Sequence, residues 1–324
     1  LAILICVTAH PAHAYLHLTF SVGSTPTPLK WDASRVRWFA GDRGIPAGIT
    51  AAQFQTELAS AFATWEAVPT SSVAFEFVGF TSAAPFEDDG ISVFGFEAEP
   101  DLDRVLGATT FVVDVFTGGI IESDVFFNAI FTWSASAVGE AGRFDLRSVA
   151  VHEIGHFIGL GHSALGETEM RPEGGRRVLA SGAVMFPISL GRGVTADRTL
   201  QPDDIAGASD LYPDGDFQDG SAAVSGRVRR NGAAVIGAHV VAFNPKTGAL
   251  IGGFALGEGG AFQIAGLTPG AHVIRVEPLD DADIDSFFSP TGIDVDFQVT
   301  LHPRLVVAPE GGASNRFDVE VRPK

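Results

Sequence analysis

The sequence predicts an α+β domain followed by an all-β domain. Before about residue 213, two capped stretches with helical spacing of apolar residues interrupt a series of strand-like runs. Beyond about residue 222, helix signals stop and short strand-like runs alternate with Gly-rich turns. The composition, 46% hydrophobic and 19% charged over 324 residues, suits two globular cores and excludes a disordered chain.

Residues 1–7 form a short apolar run followed by Ala12-His13-Ala14, a small-x-small pattern that suits cleavage before Tyr15. Residues 1–14 therefore read as a secretory signal without its start, with a first strand as the competing reading. The single cysteine, Cys6, falls inside this segment, so the mature chain would contain neither thiol nor disulfide. No other run approaches the ~20 apolar residues of a membrane-spanning helix.

Residues 35–39 alternate as a strand does, and Thr50-Ala-Ala-Gln53 has the form of a capping box. Phe54, Leu58, Phe62 and Trp65 then share one helical face, and the stripe ends before Pro69. Strands are expected at 73–80, 91–96, 105–115 and 120–128, with Gly118-Gly119 turning the last two into a hairpin. Asp145 is a good N-cap for a second helix over 146–157, which Gly159 and Gly161 break. A third, short helix starts near Pro202, where Asp203 and Asp204 lie beside the positive end of its dipole, and ends around Leu211-Tyr-Pro213.

Residues 214–221 read as a polar linker. Asp214-x-Asp216 has the start of a calcium loop, but Gln218 and Asp219 break the ligand register, which favours a solvated linker. A second domain, 222–324, is expected as an antiparallel sandwich with strands near 226–229, 239–243, 249–256, 261–265 and 272–277. His239, His272 and His302 stand singly in these strands and read as structural.

The formal charge is −18, of which residues 1–221 carry −16. A field of that sign repels phosphate backbones and argues against a nucleic-acid partner. It is compatible with bound cations, with cationic peptides, and with a plain soluble acidic surface.

The strongest chemical signal is His152-Glu-Ile-Gly-His156-Phe-Ile-Gly159-Leu-Gly-His162. On a helix, His152 and His156 lie one turn apart on one face, so both imidazoles can reach one ion. Gly159 can adopt the backbone that turns the chain sharply and brings His162 round as third ligand. Three neutral histidines leave a tetrahedral zinc one position short, and in catalytic sites that position takes water. Glu153, next to the first ligand, is then the candidate general base.

This HExxHxxGxxH segment, with Ala183-Val-Met185-Phe-Pro187 as a methionine turn, resembles the metzincin metallopeptidases. Ser163 after the third histidine, and Gln201-Pro-Asp-Asp-Ile-Ala-Gly-Ala-Ser-Asp-Leu-Tyr212, resemble the matrixin branch, and the similarity spans about 35–213. The resemblance implies a metzincin-like zinc peptidase domain over 15–213, with a twisted mixed sheet and long helices. It implies zinc ligation by His152, His156 and His162, Glu153 as catalytic base, and Met185 as an apolar floor beneath the metal. It also implies that a sheet edge within 105–113 pairs with extended substrate. No PRCGxPD-like switch is present, and no histidines stand around 85–130 to hold a second zinc, so one zinc is expected. Any calcium would draw on residues 99–103, Asp114 or residues 122–124. Residues 164–182 look long for the family, as a rim loop or a surface insertion. The C-terminal region resembles carboxypeptidase-regulatory-like, transthyretin-like β-sandwich modules through Val224-Ser-Gly-Arg-Val228 and Gly266-Leu-Thr-Pro-Gly270.

The function expected is a secreted or periplasmic zinc endopeptidase acting on extended polypeptides, with a monomer favoured. A secreted adhesion protein using the C-terminal domain, with a residual metal site, is the alternative. A narrow exopeptidase or other zinc hydrolase is a third reading.

Overall fold

A computed structural model describes residues 17–23, 25–172, 176–279 and 292–324. The expected signal, Cys6 and the cleavage pattern lie outside the described residues. The chain divides into two compact units, one built from Leu18–Gly159 with Ser189–Leu200, the other from Leu160–Ile188 with Gln201–Lys324.

The first unit is organised on a five-stranded sheet of β1 (Val36–Gly41), β2 (Phe75–Thr81), β3 (Val93–Glu97), β4 (Gly107–Val113) and β5 (Ile120–Asn128), in the order β2-β1-β3-β5-β4. All neighbours are parallel except β4, which runs antiparallel to β5 along one edge. A parallel β1–β2 pair needs a crossover, and helix α1 (Ala51–Glu66) supplies it. The capping box forms as expected: Gln53 N–H donates to Thr50 Oγ1 and Thr50 N–H to Gln53 Oε1. The hairpin also forms. Gly118 adopts φ +77°, its N–H reaches the Asp114 carbonyl at 2.7 Å, and the strands pair from Val113 opposite Ile120, with a bulge before Val112 meets Glu122.

The apolar stripe of α1 is buried throughout, at Phe54, Leu58, Phe62 and Trp65. Phe62 stacks on Trp38 of β1 at 4.4 Å and meets Phe94 of β3 at 5.0 Å. Phe157, at the end of helix α2 (Leu146–Phe157), packs on Phe94 at 5.1 Å. Two buried indoles tie this core to α2, Trp65 Nε1 donating to the Val151 carbonyl and Trp31 Nε1 to that of Phe157, both at 2.8 Å. Large aromatics here combine area burial with a polar handle that fixes the helix along its axis.

Glu122 and Asp124 are buried acids on β5. Asp124 accepts the N–H groups of Val93 and Phe86, both at 2.9 Å, and Glu122 accepts that of Gly90. Burial pushes the Asp124 carboxyl up to about 7, against the pull of its backbone donors. The folded chain thus holds this proton to a higher pH than the unfolded chain does. Its contribution to stability is fully present below about pH 4 and is lost as pH rises through about 7. Asp124→Asn, which has no titrating group there, is therefore expected to gain thermal stability relative to wild type between about pH 5 and about pH 8. A difference in Tm that does not change with pH would contradict this.

In the second unit, β6 (Gly166–Met170) and β7 (Arg176–Ser181) form a hairpin within the long 164–182 segment. Helix α3 (Pro202–Leu211) starts at the expected proline. The segment read as a solvated linker is instead helix α4 (Gly215–Gly220), because Asp214 caps it through the Phe217 N–H at 2.8 Å and Phe217 is buried.

Two sheets follow. One joins β8 (Ala222–Arg230) to β11 (Ala261–Leu267), while the other runs β10 (Leu250–Phe254), β9 (His239–Phe243), β12 (Gly270–Glu277), β13 (Thr300–Leu301), with β14 (Val306–Ala308) also on β12. Val224, Val228 and Ile264 of the first and Val240, Ile274 and Val276 of the second belong to one apolar core. The expected all-antiparallel pattern is corrected at one place. The last strand, β15 (Phe317–Glu320), pairs parallel with β8, because the chain reaches it only after passing through the other sheet.

Candidate metal centre

Asp145 caps α2 by accepting the Ser148 N–H at 2.8 Å, which sets the phase of the helix that follows. His152 and His156 consequently lie one turn apart with ring centroids 4.8 Å from each other. The helix stops at Gly159, whose φ of +103° is open to glycine and strained for other residues, and whose N–H closes on the His156 carbonyl. The chain then turns to His162. One ligand nitrogen from each of His152, His156 and His162 lies within 4.8 Å of the others, and all three side chains are partly exposed. Among the described residues this is the one such grouping of three or more histidine, cysteine or acidic ligands. Of the residues considered for calcium, Glu122 and Asp124 are engaged with backbone N–H groups, as described above.

Glu153 is buried and lies beside the edge strand. Its Oε2 accepts the Thr109 hydroxyl at 2.8 Å. Burial pushes its carboxyl up to about 7, while the Thr109 bond pulls it down. Gly107, two residues earlier on β4, gives it room: a methyl group there would lie 3.1 Å from Glu153 Oε1 and 2.9 Å from the Phe126 carbonyl oxygen. Sequence reading missed both neighbours. Only the alternation of β4, which puts residues 107 and 109 on one face, could have suggested them.

Met185 is buried in a turn that is held from two sides. Its carbonyl accepts the Ser163 N–H at 2.8 Å, and its own N–H donates to Asp204 Oδ1 at 3.1 Å. Asp204 Oδ2 also takes the N–H groups of Val184 (2.9 Å) and Gln201 (2.8 Å). Asp203 accepts the Ser163 hydroxyl at 2.6 Å and the Gly252 N–H at 2.8 Å. Burial raises Asp203 to about 7 and Asp204 to about 6, with hydrogen bonds opposing in each case. The sequence placed these two acids at a helix dipole. The structure gives them specific partners in the segment that carries the third histidine.

A further clamp was not foreseen. Arg198 forms a two-point ion pair with Asp145 and donates to the carbonyls of Ser136 and Ala137. The cap of α2 is thereby fastened to the loop of residues 189–200.

The matrixin family model matches residues 30–213, more than half of the chain. Metalloendoproteinase 5-MMP of Arabidopsis thaliana is 42% identical over 77 residues, which cover 22% of this chain and 16% of that protein. Metalloendoproteinase 1 of Glycine max is 44% identical over 69 residues, 21% of this chain and 17% of its own length. The similarity thus spans about a sixth of these curated relatives. With the match extending from before β1 to the end of α3, the chain belongs to the matrixin family.

Proposed function

We propose that the protein is a secreted zinc endopeptidase that cleaves internal bonds of extended polypeptides. The observation that carries this is the convergence of three histidine nitrogens within 4.8 Å, next in sequence to the buried carboxyl of Glu153. The donor set fits zinc: three imidazoles with no cysteine among them make a site that is open to one further ligand. His152, His156 and His162 would hold the metal, with Met185 as apolar support. When bound, zinc supplies a Lewis acid that acidifies water and polarises a carbonyl.

The remaining roles fall to the chain. Glu153 accepts the proton of the attacking water and returns it to the departing amine, with a carboxyl already shifted towards neutral pH by burial. Thr109 holds one carboxyl oxygen at 2.8 Å and so fixes the direction of the other. Strand β4, the end strand of its sheet, offers an edge on which an extended substrate can add as a further strand. The strand that aligns substrate would thus be the one that aligns the base. In this reading, residues 15–213 form the peptidase domain and 222–324 a carboxypeptidase-regulatory-like sandwich.

Incubating the zinc-loaded protein with a library of unstructured peptides should give internal cuts, mapped by mass spectrometry, that a chelator abolishes and added zinc restores. Cuts confined to chain ends, or cuts that survive chelation, would overturn the proposal. Thr109→Val is expected to lower kcat about tenfold, the worth of one charge-assisted hydrogen bond, without loss of zinc. Thr109→Ser should recover most of that rate, and equal kcat in all three proteins would rule out a role for this hydroxyl.

A further inference from the structure

The C-terminal sheets pack directly on the segment that carries the third histidine. Leu160–Ile188, α3 and every strand from β8 onward lie in one compact unit. Three separate features mark the seam. Strand β10 ends its sheet, and its outward Gly252 N–H is taken by Asp203, whose other oxygen accepts the hydroxyl of Ser163, the residue after His162. Leu165 and Ala183, close in sequence to His162 and Met185, share an apolar cluster with Val241 of β9 and Leu250 of β10. The backbones also approach too closely for side chains. A methyl group on Gly252 would lie 2.6 Å from His239 Nε2 and 3.3 Å from Leu165 Cγ, and one on Gly266 would lie 2.7 Å from Ala206 Cβ of α3.

His239 has little freedom to yield, being buried with its Nδ1 2.9 Å from Glu277 Oε1. A module hung on a linker would not need this fit.

We propose that the C-terminal sheets position the third metal ligand, with Gly252 and Asp203 as positioning residues that hold Ser163 and, through it, the backbone at His162. The inference rests on reading His162 as a zinc ligand. It assigns the C-terminal region a part in metal retention, whatever else that region binds. Residues that orient a ligand from behind typically change metal affinity by about 10–100-fold when altered, and that is the scale expected here.

The test uses the full chain and three substitutions. Gly252→Ala wedges a methyl group into the seam. Asp203→Asn leaves the shape but replaces one acceptor oxygen by a donor. Val319→Ala weakens the C-terminal core at a buried β15 residue that is not part of the Leu165 cluster. Zinc content of wild type is measured first, and a chain that holds no zinc would refute the metal site itself. Zinc affinity is then measured by competition with a chromogenic chelator, at a temperature where all variants are folded. Gly252→Ala and Asp203→Asn should bind zinc about 10–100-fold more weakly than wild type, with Val319→Ala within about threefold of it. Wild-type affinity in both seam variants would overturn the proposal. So would losses that simply follow the fall in Tm across all three.

Discussion

Glu153→Gln is expected to lower kcat/KM by about 10²–10⁴-fold while zinc content stays at the wild-type level. Glutamine occupies nearly the same volume and can still accept the Thr109 hydroxyl that now reaches Oε2 at 2.8 Å, so the buried site should keep its shape. What it lacks is a basic oxygen. The loss should fall mainly on kcat, because proton transfer strengthens in the transition state and adds little to ground-state binding. Steady-state kinetics beside metal analysis check this. A variant with full zinc and full activity would remove Glu153 from the mechanism, whereas one that loses zinc would instead point to a structural role.

Asp204→Ala should be the most damaging substitution outside the three histidines of the cluster. The carboxylate receives three N–H groups, those of Val184, Met185 and Gln201, all within 3.1 Å. Each buried donor left without a partner costs about 1–3 kcal/mol, so the sum reaches several kcal/mol, a large share of a typical domain stability of about 5–15 kcal/mol. The expected result is a chain that is largely insoluble, or one whose Tm falls by more than about 10 °C. Asp204→Asn retains one acceptor oxygen and should fall between the two. Thermal unfolding of the three proteins checks the order, and an Asp204→Ala variant as stable as wild type would show that the methionine turn holds itself.

The contrast between the two acids of α3 and the histidine segment explains what was legible beforehand. His152, His156 and Gly159 could be placed because they depend on one helix and its end, and the capping by Asp145 fixed both within a few residues. The stripe of α1 and the Gly118 turn were readable for the same reason. Residues 214–221 were misjudged because their polar composition suits a linker, while a single buried Phe217 and an Asp214 cap were enough to make a helix. The parallel pairing of β15 with β8 could not be seen either, since strand pattern shows which side is buried and says nothing of which neighbour is chosen.

The sequence by itself determined the histidine cluster and the helix that carries two of its members, the family, and the change from mixed helices and strands to a strand-rich C-terminal region. Tertiary structure alone decided that Thr109 serves Glu153 from 44 residues away, that Arg198 clamps the Asp145 cap from 53, and that Asp203 joins Ser163 to Gly252 across 40 and 49. The reason is physical. Helix phase, caps and turns follow from backbone geometry over a few neighbouring residues, so residue type and spacing reveal them. A buried carboxylate instead takes its partners from whatever donors the packed chain brings within reach, and those donors are mostly backbone N–H groups, which every residue but proline carries alike.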